Sequence, residues 1–329
     1  MLRISMALAA VIGAVASAQA ATVVPTVYEA GHFFATPTLA NGQVLRLLVD
    51  TGGGGVNYWL QESTAARLGL QKVSCPELAD APLVTAPEYQ PGKGLPRPKT
   101  YCGAISALVP EGGIDTKMDG MIGSSYLPDH IWTFDYPRRT LSIEAPNWTP
   151  PDNARALHMN LPATRKGQVR QSFPRITVTI AGESVDMLLD TGATARPTRQ
   201  GLAIMGTSVV NGEGTTSYAT ARFINRWHEA HPDWTVLDNA DELFGPKHVQ
   251  RAIRVPSVEI GGWAVGPVWF VQRPDANFEQ GMSSMMDGTV HGAIGANVLS
   301  SFRMTLDYGH ATAWLSCVER CEAPAPVTK

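Results

Sequence analysis

One acidic tripeptide occurs twice in this chain, each time behind a matching apolar run, and that recurrence constrains the fold more than any other feature. Residues 44–52 read Val-Leu-Arg-Leu-Leu-Val-Asp-Thr-Gly, and residues 185–192 read Val-Asp-Met-Leu-Leu-Asp-Thr-Gly. A lone Asp-Thr-Gly means little in 329 residues, but two copies closing strand-like runs point to an internal duplication. A second matched pair follows the first. Gly120-Met-Ile-Gly123 continues to Leu127, and Gly292-Ala-Ile-Gly295 continues to Leu299, both as Gly-x-Ile-Gly-x-x-apolar-Leu. Each is followed by two strand-like runs around an Asp-Tyr pair, residues 132–136 with 140–143 and residues 302–308 with 312–315.

The duplicated order predicts two similar halves. Gly 31 and Pro 24, with only 17% charged residues, favour turn-rich β structure over a helical bundle. Residues 175–180 alternate as a strand, with Ala181-Gly182 as the turn into the run ending at Asp190. Ala40-Asn41-Gly42 is the corresponding hairpin turn before Val44. A short helix is expected over 63–68, with Ser63 as N-cap and Gly69 as its stop. The halves differ in length: 73 residues separate Asp50 from Gly123, and 105 separate Asp190 from Gly295. Phe223, Ile224 and Trp227 recur at helical spacing over 220–229, which reads as a helical insertion in the second half. The resulting division is a leader at 1–20, a first half at 21–148, a Pro- and Asn-rich linker at 149–166, a second half at 167–322 and a tail at 323–329.

Arg3 followed by a short apolar run and Ala18-Gln19-Ala20 reads as an export signal, so the protein is expected in the periplasm or outside the cell. Four cysteines in such a chain read as disulfides. Of the three possible pairings, Cys75–Cys102 with Cys317–Cys321 closes each loop within one region. Neither Cys317-x-x-x-Cys321 nor His228 with His231 has metal-site spacing, so no metal is expected. With 26 basic and 29 acidic residues there is no cationic surplus to hold a phosphate backbone, and nucleic acid is excluded as a partner.

The chemistry then rests on the repeated aspartates. A strand of Leu and Val ending in Asp delivers a carboxylate from a buried framework, and the following Gly lets the backbone turn sharply. If the halves pack about a pseudo-twofold axis, Asp50 and Asp190 meet there. Two carboxyls in contact cannot easily both ionise, so they hold one proton between them and titrate as a pair. The ionised member can take a proton from a bound water while the protonated member donates to a substrate carbonyl.

These doubled motifs resemble the aspartic proteases, two halves in one chain as in the pepsin-like enzymes, with local sequence closer to the retropepsin type. Asp190-Thr-Gly-Ala-Thr194 and the stretch 60–70 carry that likeness, which spans most of residues 25–145 and 170–316. The resemblance implies a mainly β acid-protease fold of two pseudo-twofold-related, β-barrel-like lobes. It also implies Asp50 and Asp190 as the catalytic pair, with Thr51 and Thr191 forming a cross-lobe hydroxyl grip. Gly52 and Gly192 would complete the loops, and Ile122-Gly123 and Ile294-Gly295 would pack beneath them. Tyr89, in a Pro- and Gly-rich stretch, stands about where a covering flap would be. The first copy departs from the pattern at Gly53, where pepsin-like enzymes usually carry Ser or Thr. The implied activity is an exported, monomeric endopeptidase acting on peptides or unfolded proteins, without cofactor and without membrane association once the leader is removed. The alternative is a catalytically silent peptide- or protein-binding member of the same fold. A structural envelope protein with fortuitous motifs is a third reading, and it would hold the two aspartates far apart.

Overall fold

The computed structural model describes residues 20–78, 81–108, 118–164 and 168–323. Residues 1–19 of the expected leader (1–20) and 324–329 of the expected tail (323–329) lie outside them. The chain is mainly β. The first half runs β1 (Thr22–Val24), β2 (Thr26–Glu29), β3 (His32–Ala35), β4 (Leu47–Val49), β5 (Tyr58–Gln61), α1 (Glu62–Arg67), β6 (Leu83–Thr85), β7 (Ala104–Leu108), β8 (Gly120–Ile122), β9 (Trp132–Asp135) and β10 (Thr140–Ile143). The second continues with β11 (Ala154–His158), β12 (Arg175–Ile180), β13 (Glu183–Leu189), β14 (Thr194–Ala195), α2 (Arg199–Met205), β15 (Gly214–Thr215), β16 (Ser217–Thr220), α3 (Ala221–Ala230), β17 (Val236–Asp241) and β18 (Gln250–Val255). It ends with β19 (Val258–Ile260), β20 (Trp263–Val265), β21 (Val268–Arg273), β22 (Gly292–Ile294), α4 (Ala296–Leu299), β23 (Phe302–Asp307), β24 (Thr312–Cys317) and β25 (Cys321–Glu322).

Pairing repeats strand for strand. β3–β4 and β12–β13 are antiparallel, while β4–β8 and β13–β22 are parallel. β5–β8 and β16–β22 are antiparallel, and β5–β7 and β16–β21 are parallel. β6–β7 and β18–β21 close the series as antiparallel pairs. Each half therefore builds its own sheet, and a third sheet takes strands from both in the order β1-β10-β9-β23-β24-β11. At the centre of that shared sheet β9 and β23 run antiparallel, with Thr133 opposite Thr305 and their hydroxyls 2.8 Å apart.

The apolar pattern accounts for these elements. Along β12 the inward Ile176, Val178 and Ile180 are buried while the positions between them are more open, the signature of a strand with one face on the core. β4 and β8 are buried at every position, as expected for parallel neighbours covered on both sides. Trp132, Phe134 and Phe302 fill the space above the shared sheet, and one continuous core joins both halves to it. Burying each such side chain contributes on the order of 2 kcal/mol.

Four expectations need correction. The sheets are open, and none closes into a barrel. The helix over 220–229 forms, as α3 with Phe223, Ile224 and Trp227 buried, but it is no insertion. It follows β16 as α1 follows β5, so it is the counterpart of α1. The extra length near the motif lies earlier: eight residues separate Asp50 from β5, whereas 27 separate Asp190 from β16, and that excursion carries β14, α2 and β15. The linker at 149–166 includes β11, which pairs fully with β24. Ser63 is no cap, because β5 runs straight into α1 and puts Gln61 at that position.

Both expected disulfides are present, Cys75–Cys102 and Cys317–Cys321. They fit an oxidising, extracytoplasmic compartment. Among the described residues no helix is long and apolar enough to cross a membrane. In chain-entropy terms the first bond, closing a sequence separation of 27, restrains the unfolded chain more than the second, closing 4. Replacing Cys75 and Cys102 by Ser should cost about 3 kcal/mol in urea unfolding, and replacing Cys317 and Cys321 no more than about 2. Equal costs would contradict this ordering.

Candidate active site

β4 and β13 end at the two aspartates. The parallel partner strands then hold each loop from below: Asp50 N donates to Ile122 O, and Asp190 N to Ile294 O, both at 2.9 Å. The glycines that follow those isoleucines are required by space. A Cβ on Gly123 would stand 2.4 Å from the Gly53 carbonyl oxygen, and one on Gly295 would stand 1.7 Å from that of Thr216.

The two loops grip each other through buried threonines. Thr51 Oγ1 donates to Leu189 O at 2.6 Å and accepts from Thr191 N at 3.0 Å. Thr191 Oγ1 donates to Val49 O at 2.8 Å and accepts from Thr51 N at 3.1 Å. The carboxyls complete the arrangement. Gly52 N donates to Asp50 Oδ1 at 2.7 Å, and Gly192 N to Asp190 Oδ1 at 3.0 Å. Each carboxyl also rests over the opposite glycine. A Cβ on Gly192 would lie 2.2 Å from Asp50 Cγ, and one on Gly52 would lie 2.8 Å from Asp190 Cγ. Asp50 and Asp190 thus face each other across the junction, each only 9% exposed.

Burial raises the pKa of both, and for Asp190 the Asp50 charge raises it further. Amides of Gly52, Gly192 and Gly53 offset this for Asp50, and those of Gly192 and Ala193 for Asp190, so the pair retains a proton above the ordinary carboxylate range and titrates as a unit. Gly53 has its own explanation. A Cβ there would meet Met121 Sδ at 2.1 Å, and Asp50 Oδ2 at 3.1 Å. The second half carries Ala193 and Ala293 where the first carries Gly53 and Met121, so the thioether occupies the room that a side chain after Gly52 would need.

A cavity of about 350 Å³ opens beside Asp50. Phe34, Leu48, Met118 and Met121 line it from the first half, and Leu243 and Phe244 from the second. Two ion pairs also border it, Arg46–Glu29 at 2.7 Å and Arg196–Glu213. Over it stands a tight turn in which Val210 and Glu213 exchange backbone hydrogen bonds of 2.8 and 3.1 Å. Asn211 and Gly212 both have positive φ, 56° and 86°, the two-residue turn that Asn-Gly favours. Tyr89 does not take this place. Its hydroxyl meets Tyr58 Oη at 3.0 Å, its backbone bridges Leu39, and it borders a separate hollow beside Pro87 and Pro96. The buried Tyr58 is the partner that holds this phenol away from the cavity.

Sequence reasoning missed a polar network behind the second loop. Tyr218 Oη accepts from Thr194 N at 2.7 Å, and the Arg273 guanidinium lies 4.2 Å from the Tyr218 ring. Arg273 is paired with the fully buried Asp241 at 3.2 Å, and Asp241 Oδ2 accepts from Arg196 N at 2.7 Å. His32, on β3, lies buried against Thr194. Arg273, the single charge at the end of the largely apolar run 268–273, is the one local signal; Asp241 ends a run that already carries Asp238 and Asn239.

Compared with known proteins, the chain matches no family model and no curated protein.

Thr51→Val or Thr191→Val leaves a buried carbonyl and amide without partners and should cost about 2–4 kcal/mol in equilibrium unfolding, with the Ser variants near wild type. A loss below about 0.5 kcal/mol would show that the grip carries no load. The raised pKa of Asp190 also has a sign. The folded state holds that proton more tightly than the unfolded one, so this group's contribution is full at low pH and is lost as pH rises through the folded value. Asp190→Asn should therefore raise stability at pH 7, and the gain should vanish near pH 3, where the carboxyl is protonated in both states. A gain that persists at pH 3 would contradict the shift.

Proposed function

We propose that the chain is an exported aspartic endopeptidase of bilobal acid-protease type, working in the periplasm or outside the cell. The observation that carries this reading is the crossed threonine pair, which sets two buried carboxyls facing each other. The matched strand order of the two halves supports a pseudo-twofold relation between them.

In this reading a water rests between the carboxyls. Asp50, ionised, takes a proton from it as it attacks the peptide carbonyl. Asp190, protonated, passes its proton to the carbonyl oxygen, and a tetrahedral gem-diol forms. Asp50 then gives its proton to the nitrogen, the C–N bond breaks, and Asp190 takes back a proton from a diol hydroxyl as the new carboxyl forms, which returns the pair to its starting state. The cavity beside Asp50 takes a side chain of the extended substrate, and the Val210–Glu213 turn covers it, in the role first assigned to Tyr89. Nothing in this cycle calls for a metal or cofactor.

Gly53 favours no silent-binder reading, because Met121 accounts for it by packing. Retention of two facing carboxyls, with the desolvation cost that entails, speaks for catalysis. The test is digestion of casein by the mature chain across pH 3–8, beside Asp50→Asn and Asp190→Asn. A bell-shaped kcat/KM profile is expected, since only the singly protonated pair works, and each variant should fall to background while remaining folded. Cleavage by either variant at the wild-type rate would overturn the assignment, and a wild type that binds but never cleaves would leave the binding module standing.

A further inference from the structure

Strand register puts His32 and Phe173 at equivalent points of the repeat. Phe34 pairs with Leu48 and Arg175 with Leu188, and both leucines stand two residues before the motif aspartate. Counting back, His32 in the first half matches Phe173 in the second. Both are buried, and each ring lies against the loop of the opposite half. Phe173 Cζ is 3.8 Å from where Gly54 would carry a Cβ, whereas His32 Nε2 is 3.0 Å from Thr194 Oγ1. Gly54 and Thr194 are themselves equivalent, each four residues past its aspartate. One contact is thus a ring on a glycine, and its twin is a hydrogen bond.

The donor is set by Thr194. Its hydroxyl donates to the Gly192 carbonyl at 2.8 Å, so towards His32 it accepts, and Nε2 carries the proton. Burial lowers the His32 pKa to about 4, opposed by the nearby Gly192 backbone and assisted by Arg46, and the ring is neutral above that. The Thr194 main chain is held from within its own half by Tyr218. Its side chain is held from the other half by His32.

We propose that His32 is a positioning residue for the aspartate pair: its Nε2–H, through the Thr194 hydroxyl, fixes the Gly192 carbonyl and so the glycine that lies between Asp190 and Asp50. Gly192 N donates to Asp190 Oδ1, and its Cα stands over the Asp50 carboxylate. A shift of that residue therefore disturbs both acids together, and small displacements of reacting groups are costly in rate. The inference rests on the reading of Asp50 and Asp190 as the working pair.

Three variants test it in the full mature chain. His32→Phe installs the ring that the other half uses at this point, His32→Gln keeps an N–H near the Nε2 position, and Thr194→Val removes the relay. His32→Phe and Thr194→Val should each lower kcat about tenfold, roughly the weight of one lost hydrogen bond, with KM within about twofold. The double variant should be no worse than the poorer single one, and His32→Gln should recover most of the rate. Wild-type kcat in His32→Phe, or independent addition of the two losses, would overturn the proposal. A second readout does not depend on activity: by ¹⁵N NMR, His32 should be the Nε2-protonated neutral tautomer at pH 6, and His32→Phe should shift the Gly192 amide resonance while His32→Gln does so far less. If the wild type hydrolyses nothing, the protease reading fails by itself. The NMR result then still decides the positioning role, and an unmoved Gly192 amide would end it.

Discussion

Two threonine hydroxyls, each donating to a carbonyl of the opposite half and accepting an amide from it, hold together the point on which the rest of the site depends. They satisfy buried backbone groups on both sides of the junction, where an unpaired amide or carbonyl would be costly. Only with that junction closed do Gly52 and Gly192 come under the opposite carboxyls, and only then are the carboxyls forced into contact. The shared sheet does the coarse part of this work. Its central β9–β23 pair fixes how the halves meet, and the threonines set the fine separation above it.

The two halves have kept one strand order and diverged in chemistry behind their loops. Beneath Asp50 lie Leu48, Trp59, Met118 and Met121, an apolar cluster. At the equivalent places behind Asp190 stand Tyr218 for Trp59 and Arg273 for Leu108, with Arg273 paired to Asp241. His32 against Thr194, in place of Phe173 against Gly54, is the same divergence at the front of the loop. A symmetric scaffold thereby gives its two acids unlike surroundings, which is the condition for them to play unlike parts.

Much of this was legible in the residues because it is local. Period-two alternation marked β12, and the Asp-Tyr pairs marked β9 with β10 and β23 with β24. Gly42 and Gly182 adopt the left-handed backbone that glycine favours, and Ala181 is drawn into it beside Gly182. The cysteine pairs followed from proximity along the chain. What escaped depends on contacts between distant segments. His32 and Thr194 are 162 positions apart. β11 reads as a polar connector because its hydrogen bonds go to β24 and it contributes only Leu157 to the core. Tyr89 suggested a cover by its position along the chain, but Tyr58, a residue the motifs did not involve, drew it inward. The helix over 220–229 was found and misassigned, since its equivalence to α1 is visible only once β16 and β5 are matched.

The most direct measurement is a ¹³C NMR titration of the aspartate carboxyls in the folded chain, with the signals of Asp50 and Asp190 assigned by their Asn variants. Two macroscopic steps are expected, well separated, with one proton retained by the pair through the acid range where free aspartate is already ionised. Two independent titrations near the ordinary aspartate value would mean that these carboxyls do not meet, and the account built on their contact would fall.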